Sequence, residues 1–465
     1  MSFFKIPIPK NVLYAALFVF VAIVFISFLK VAPEWEDAEQ AYYSQWFRLG
    51  YNDQPPLYTW IQILVNKIIG VNRVSFAGVR ALWFTGTLLM MYRLAKDFYK
   101  EERLAEIALW LLVLIPVFID FTFRRLSHTS FMCFLSVSLY FVFSRLLVNK
   151  SWKNYLMFGA IIAFGLLAKY NFLMLLPTFI LIPFFDKEAK KVFLDKKIWI
   201  SLIACLFLIS PHVYWLFTHL EYQDTFHQSM ERKSKANLDG GIWIITPILA
   251  FVKSFLNLIL PFLIIMAVMF FTKQVKLTKT KINWLVKMLI IQTVVVLLIF
   301  TIVNSGRISE RWLLPLYLPF SILLLKVFVP KNKTSWQRWG MRLFVFVILV
   351  QVLRTPFESL LGIDSVVHHS FTPVIDKLER NHPEKAWQLP DIVYAGSVLY
   401  KKPGKTIFCA DDFTLPKNAL DSLNTVFVTK QKVEGLELID SIMEFGYAKD
   451  NLYFYEISSQ ITIQQ

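Results

Sequence analysis

The sequence predicts a polytopic α-helical membrane protein with about 11 transmembrane helices, followed by a small soluble α/β domain. Three observations carry this reading. Of 465 residues 56% are hydrophobic, 44 are Phe and only 18% are charged, with a mean hydropathy of +0.51; a soluble domain of this size does not need so much apolar surface. Apolar runs of about 17 to 22 residues recur, the length a helix needs to cross a ~30 Å hydrocarbon core. From residue 355 onward the apolar runs shrink to strand length, while polar residues, Pro and Asp become frequent.

Candidate spans are 11–30, 76–94, 104–121, 129–146, 154–168, 172–185, 198–217, 246–271, 284–303, 312–329 and 339–354. The first reads as an uncleaved anchor, because it is long and Val31-Ala32-Pro33 makes a poor cleavage site. Segments 154–168 and 172–185 are each only about 21 Å long as helix, which predicts a helical hairpin with its tip, Lys169-Tyr170-Asn171, below the membrane surface. The net charge of +16 is concentrated in alternate loops, at 93–103, 145–153, 187–197, 273–281 and 331–342. In a membrane protein this bias speaks to orientation, not to nucleic acid: the N-terminus is expected in the cytoplasm, with loops 31–75, 121–128, 218–245 and 304–311 outside. Cys133, Cys205 and Cys409 are scattered and suggest neither a disulfide framework nor a metal-binding spacing.

The domain organisation expected is 1–354 for the membrane part and 355–465 for the soluble part, the latter placed outside by the count of spans. Within the soluble part, 405–409, 425–428 and 452–455 read as strands and 436–445 as a helix. In the first outer loop, 31–75, residues 38–46 and 57–69 read as short helices along the interface, with Trp35, Trp46 and Trp60 at headgroup level.

The polar residues that stand out lie in or near the outer loops. Glu36, Asp37 and Glu39 crowd together just after the first span of a chain with only 33 Asp and Glu. Such a cluster is either a solvated acidic loop or a general base aimed into a cleft, and on a helix Glu36 and Glu39 share a face at i and i+3. Asp53, just before Pro55-Pro56, is a turn residue or, with a second carboxylate, a ligand for a divalent metal ion. Lys169 is a cation below the membrane surface; it either snorkels to the headgroups or pairs with an anion such as a lipid phosphate. Arg124, Arg125 and His128 form a solvated loop or join Lys169 around that phosphate. His212 and His227 are structural or metal-ligating. Arg311, at the mouth of span 312–329 with Arg307, Glu310 and Trp312, fixes helix depth or adds a further cation to the phosphate site.

No nucleotide cofactor is expected. Gly404-Lys405-Thr406 is not a phosphate-binding loop, since Leu399 stands where its first glycine is required. Any energy source must come with the substrate or from a gradient.

Glu36-Asp37-Ala38-Glu39-Gln40 with Gly50-Tyr51-Asn52-Asp53-Gln54-Pro55-Pro56-Leu57-Tyr58-Thr59-Trp60 resembles the first outer loop of bacterial dolichyl-phosphate-mannose-protein mannosyltransferase-like glycosyltransferases, GT-C membrane enzymes that include the aminoarabinose transferases. Gly165-Leu166-Leu167-Ala168-Lys169-Tyr170-Asn171 is similar to that family's lysine-tyrosine hairpin, and Pro211-His212-Val213-Tyr214-Trp215 and Arg311-Trp312-Leu313-Leu314-Pro315 resemble further signatures. The resemblance covers roughly residues 10–330 in consistent order. It implies a GT-C-like fold in a bacterial inner membrane and inverting transfer of a sugar from a polyprenyl-phosphate donor to a periplasmic acceptor: a lipid, a glycan or a protein. It further implies a first-loop acid as the base (Glu36 or Asp37), a metal-binding position at Asp53 and a phosphate contact at Lys169. Three departures are visible, the first being Asp53 itself, where the family often has Glu. The family's usual Asp-Glu order is reversed at Glu36-Asp37, and the second outer loop reads Arg125-Leu126-Ser127-His128-Thr129 where an acid is common. The alternative reading is a transporter or flippase of a lipid-linked or anionic substrate; against it, no internal repeat is visible and the polar residues gather on one face.

Overall fold

The computed structural model describes residues 7–222, 224–225, 244–278, 282–358, 360–415, 425–446 and 448–457. The chain divides into two compact units: Met1–Ala22, Asp53–Tyr58 and Arg80–Gln351 form the first, and Ile23–Asn52, Thr59–Val79 and Val352–Gln465 the second.

The chain opens with α1 (Lys10–Phe28), then the short α2 (Trp35–Tyr43) and α3 (Leu57–Ile69), before the long α4 (Arg73–Tyr99). α5 (Glu102–Trp110), α6 (Ser127–Val148), α7 (Trp152–Ala168), α8 (Leu176–Phe185), α9 (Lys187–Phe193) and α10 (Ile198–Thr218) follow. Long helices at Ile245–Phe271, Trp284–Ile302 and Lys333–Arg354 complete the apolar part. Among the described residues seven helices are long and apolar enough to cross a membrane, namely α1, α4, α6, α10 and these last three; shorter apolar helices lie at Leu57–Ile69, Trp152–Ala168 and Tyr170–Phe185.

Two expected spans are interrupted, and prolines explain both. Segment 104–121 is α5, a 3-10 turn at Leu111–Leu114 and a π-helical turn at Phe118–Thr122; Pro116, which has no N–H to donate, stands at the break. Segment 312–329 is helix Glu310–Tyr317, a 3-10 turn at Leu318–Ser321 and helix Ile322–Val327, with Pro315 and Pro319 along it. It ends in strand β2 (Phe328–Pro330), which pairs antiparallel with β1 (Val275–Leu277). By contrast, the expected short span 339–354 is the end of a full 22-residue helix.

In the first unit α6 is mostly buried, so it is the helix about which its neighbours pack. Away from water, polar side chains join helices where they find partners. The Thr178 hydroxyl donates to Gln292 Oε1 at 2.7 Å, and Gln292 Nε2 donates to the Met174 carbonyl at 3.0 Å. Buried Asp97 accepts from Ser144 at 2.8 Å and Arg145 at 3.0 Å, and buried Glu106 accepts from Gln337 at 2.8 Å and from Asn11.

The second unit holds a five-stranded sheet in the order β4-β3-β5-β7-β6. β3 (Ala386–Leu389) runs parallel to β4 (Ile407–Cys409) and to β5 (Thr425–Thr429), while the hairpin of β6 (Leu438–Phe445) and β7 (Asp450–Ile457) adds two antiparallel strands. Helix Ile392–Lys401, N-capped by Asp391, connects β3 to β4 as a crossover. Residues 438–445, expected as helix, are strand β6: their backbone pairs with aromatic-rich β7, and the turn between them is set by positive φ at Glu444, Gly446 and Lys449. Sheet pairing there overrides a helical spacing of apolar residues.

The core of this unit is not made by the C-terminal residues alone. Ala38, Tyr42, Tyr43 and Tyr51 are buried in one cluster with Trp387, Leu389, Val398, Ile407, Val426 and Phe454. Trp46 stacks on Phe408, with ring centroids 5.8 Å apart, and Trp60 Nε1 donates to the Arg48 carbonyl at 2.7 Å. Both side chains, expected as headgroup anchors, are therefore built into this fold; Trp35, 56% exposed, is not.

Candidate active site

In the second unit the acidic cluster occupies the first turns of α2. Glu36 and Asp37 stand at its N-terminal end, where the backbone N–H groups of the helix favour negative charge. Asp37 is 7% exposed, whereas Glu36 and Glu39 are both half-exposed, the common face expected from their spacing. A nine-residue helix is marginal in isolation, and α2 is held by its surroundings. The N-cap residue Glu34 forms a buried ion pair with Lys30 at 2.6 Å.

In the first unit Lys169 sits at the break between α7 and the 3-10 turn Tyr170–Leu175, in extended backbone, as the predicted hairpin tip requires. Gly165 makes the tip compact: a Cβ there would overlap the Phe172 ring. Lys169 Nζ donates to Thr129 Oγ1 at 3.3 Å. The Tyr170 hydroxyl and His212 Nε2 are 3.0 Å apart, and from His212 a stack of rings continues through Trp215 and His219 to Tyr222.

Arg124 is not on a solvated loop. It is 1% exposed, follows the π-helical turn and lies 3.5 Å from Asp120. His128 is buried in the first turn of α6 against the Tyr58 ring, centroids 4.5 Å apart, and within electrostatic reach of both Lys169 and Asp53. Asp53 is also within electrostatic reach of Tyr170; it follows Asn52, whose positive φ makes the turn. The first unit thus gathers Lys169, Tyr170, His128, Asp53 and His212 in one neighbourhood, with Arg80 adding a buried guanidinium 3.4 Å from Ser127 Oγ. Arg125 is half-buried. Arg311 is exposed, and its neighbour Glu310 accepts from Asn257 at 2.8 Å.

His227 lies outside the described residues. Among the described residues no group of three or more His, Cys, Asp or Glu side chains is placed to hold a metal ion, so Asp53 and His212 do not make a ligand set by themselves.

Sequence reasoning missed the residues that hold the acidic helix. The Asp412 carboxylate is buried, accepting from Arg48 Nη1 at 2.9 Å and from the Tyr42 hydroxyl at 3.0 Å. Burial works against the charge on Arg48, but Asp412 outweighs it and holds the guanidinium pKa above its ordinary value. Burial and the same carboxylate push the Tyr42 phenol well up, so it stays a neutral donor. Only the i, i+4 spacing of Ala38 and Tyr42 hinted at a buried face on α2.

Residues 53–215 match the family described as dolichyl-phosphate-mannose-protein mannosyltransferase. The chain is 27% identical over 396 residues to the lipopolysaccharide core galacturonosyltransferase RgtB of Rhizobium johnstonii, covering 81% of this chain and 78% of the relative. It is 27% identical over 298 residues to RgtA of the same organism, covering 63% and 59%. In fold it is similar to ArnT from Cupriavidus metallidurans, solved bound to undecaprenyl phosphate, with a TM-score of 0.63, 10% identity and coverage of 97% and 99%. By these matches the chain is similar to glycosyltransferases of the GT-C type, the lipopolysaccharide core galacturonosyltransferases among them, and its fold is like that of ArnT.

Proposed function

We propose that the protein moves a sugar from a polyprenyl-phosphate donor to an acceptor on the periplasmic face of a bacterial inner membrane, with inversion at the sugar carbon. The observation that carries this reading is Lys169, a cation at a helix break between two short apolar helices, with Tyr170 and His128 around it. A cation in that setting suits a phosphate on a lipid, which reaches the site from the bilayer. The ArnT structure with undecaprenyl phosphate supports a donor of this class. The two relatives named for lipopolysaccharide core support a lipid- or glycan-linked acceptor over a protein.

In this reading Lys169, Tyr170 and His128, with Arg124, Arg125 and Arg311 as further cations, stabilise the departing phosphate as its bond to the sugar breaks. A carboxylate of α2 takes the proton from the acceptor hydroxyl, whose oxygen forms the new bond. Glu36 and Glu39, on the half-exposed face, are the carboxylates an acceptor reaches most directly. The positive-inside distribution supports a cytoplasmic N-terminus and a periplasmic domain at 355–465.

The test is transfer by the purified protein in lipid vesicles, using undecaprenyl-phosphate sugars as donors and lipopolysaccharide core from a strain lacking the gene as acceptor. Sugar on the acceptor is the expected result. Donor that crosses the bilayer with no sugar transferred would replace this reading by the flippase.

A further inference from the structure

The C-terminal α/β domain has the size and position of an appended module, yet its contacts within the second unit point to another role. α2 is fixed to it along the helix. At the middle, Gly396 of helix Ile392–Lys401 lies so close to α2 that any Cβ would overlap the Ala38 carbonyl. At the C-terminal end, Tyr42 and Arg48 both donate to buried Asp412, which also accepts from Thr414 Oγ1 at 2.8 Å. Between these, Gln45 treats the free edge of β4 as a partner strand would. Its Nε2 donates to the Ile407 carbonyl at 3.0 Å and its Oε1 accepts from the Ile407 N–H at 3.2 Å. The chain beyond α2 is held too: the Asn52 N–H donates to Thr414 Oγ1 at 3.2 Å and Asn52 Nδ2 to the Asp411 carbonyl at 3.0 Å.

We infer that the C-terminal domain is a positioning element of the active site, and that Asp412, acting through Tyr42 and Arg48, sets the register of the α2 carboxylates. The inference rests on the assignment of α2 as the source of the base. Its physical content is that Asp412 is bonded both to Tyr42, in the last turn of α2, and to Arg48, in the segment that follows. A surface module would be bound by exposed, exchangeable contacts. Here a side-chain carboxylate with no exposure receives a guanidinium and a phenol, and a side-chain amide completes a sheet edge. Catalytic geometry is lost over about 1 Å of displacement, with rate losses on the order of a hundredfold, so loosening this joint lowers turnover before it alters donor binding.

The experiment uses the full-length protein in vesicles and compares Asp412→Asn, Tyr42→Phe and a surface control, Lys402→Ala. Asp412→Asn keeps the size and one acceptor oxygen; it is expected to lower kcat about tenfold or more while the KM for the donor stays within about twofold. Tyr42→Phe, which removes a single hydrogen bond and serves if Asp412→Asn fails to fold, is expected to lower kcat about threefold. Combined with Glu39→Gln, Asp412→Asn is expected to add little further loss, because both act through α2. Folded Asp412→Asn and Tyr42→Phe with wild-type kcat, or equal losses in donor binding and turnover, would overturn the positioning role. If Glu36→Gln, Asp37→Asn and Glu39→Gln all retained full transfer, the assignment of α2 as the base would fail instead, and those three variants separate the two failures.

Discussion

The Tyr170 hydroxyl lies 3.0 Å from His212 Nε2, and the two rings stack with centroids 5.9 Å apart. This contact ties the hairpin tip that carries Lys169 to α10, a helix whose residues are otherwise mostly exposed. Tyr170→Phe keeps the ring and removes the hydrogen bond. The expected cost is about 1 kcal/mol of stability, read as a lower melting midpoint in detergent, with a rise in the KM for the donor. A His212→Phe exchange should give a loss of the same kind, since it keeps a ring but abolishes the same bond.

Lys169→Met should be the most damaging single change in the first unit. It preserves the length of the side chain and removes the cation; transfer is expected to fall by about a hundredfold or more, as for loss of a group that stabilises developing charge. Lys169→Arg should recover part of the rate. Steady-state transfer with varied donor checks both, and melting curves separate the effect from misfolding.

Gly396→Ala tests the packing of the second unit without touching an ionisable group. The added methyl meets the Ala38 carbonyl, which belongs to helix backbone and moves only with α2. The expected destabilisation is about 1–3 kcal/mol, typical of overpacking, with a parallel fall in turnover. Ala at Gly404, where no atom lies within contact range of an added Cβ, is the comparison; its only strain is the positive φ of that residue.

How much of this was legible in the sequence depends on the kind of constraint involved. The apolar helices, the hairpin tip at Lys169 and the short helices α2 and α3 follow from periodicity and from the length a bilayer requires, so they could be read directly. The interrupted segments near Pro116 and Pro315 could not be divided from composition alone, because their residues are as apolar as those of any span. Strand β6 was misread because its partner β7 is what makes it a strand. The joint at Asp412 was invisible for a related reason: Tyr42 and Asp412 are 370 positions apart, and neither carries a local motif.

The Asp411 carboxyl gives a pH signature. Burial pushes its pKa above the ordinary 3.8. The native state therefore binds this proton more tightly than the unfolded chain, so the contribution to stability is fully present below the unfolded pKa and is lost as pH rises through the raised native value. Asp411→Asn should remove that part of the pH dependence, which equilibrium denaturation of the full-length protein between pH 4 and pH 7 reads as a flatter profile (about three units around the carboxylate range).

The most direct test of the central claim is a single-turnover assay in vesicles with a labelled undecaprenyl-phosphate sugar and lipopolysaccharide core acceptor, run on the wild type, Lys169→Met and the double variant Glu36→Gln/Glu39→Gln. The account predicts that label moves to the acceptor with the wild type and that both variants are severely impaired, Lys169→Met with weakened donor binding and Glu36→Gln/Glu39→Gln with donor binding retained. Transfer undiminished in both variants, or donor label crossing the bilayer with no glycosylated product, would contradict it.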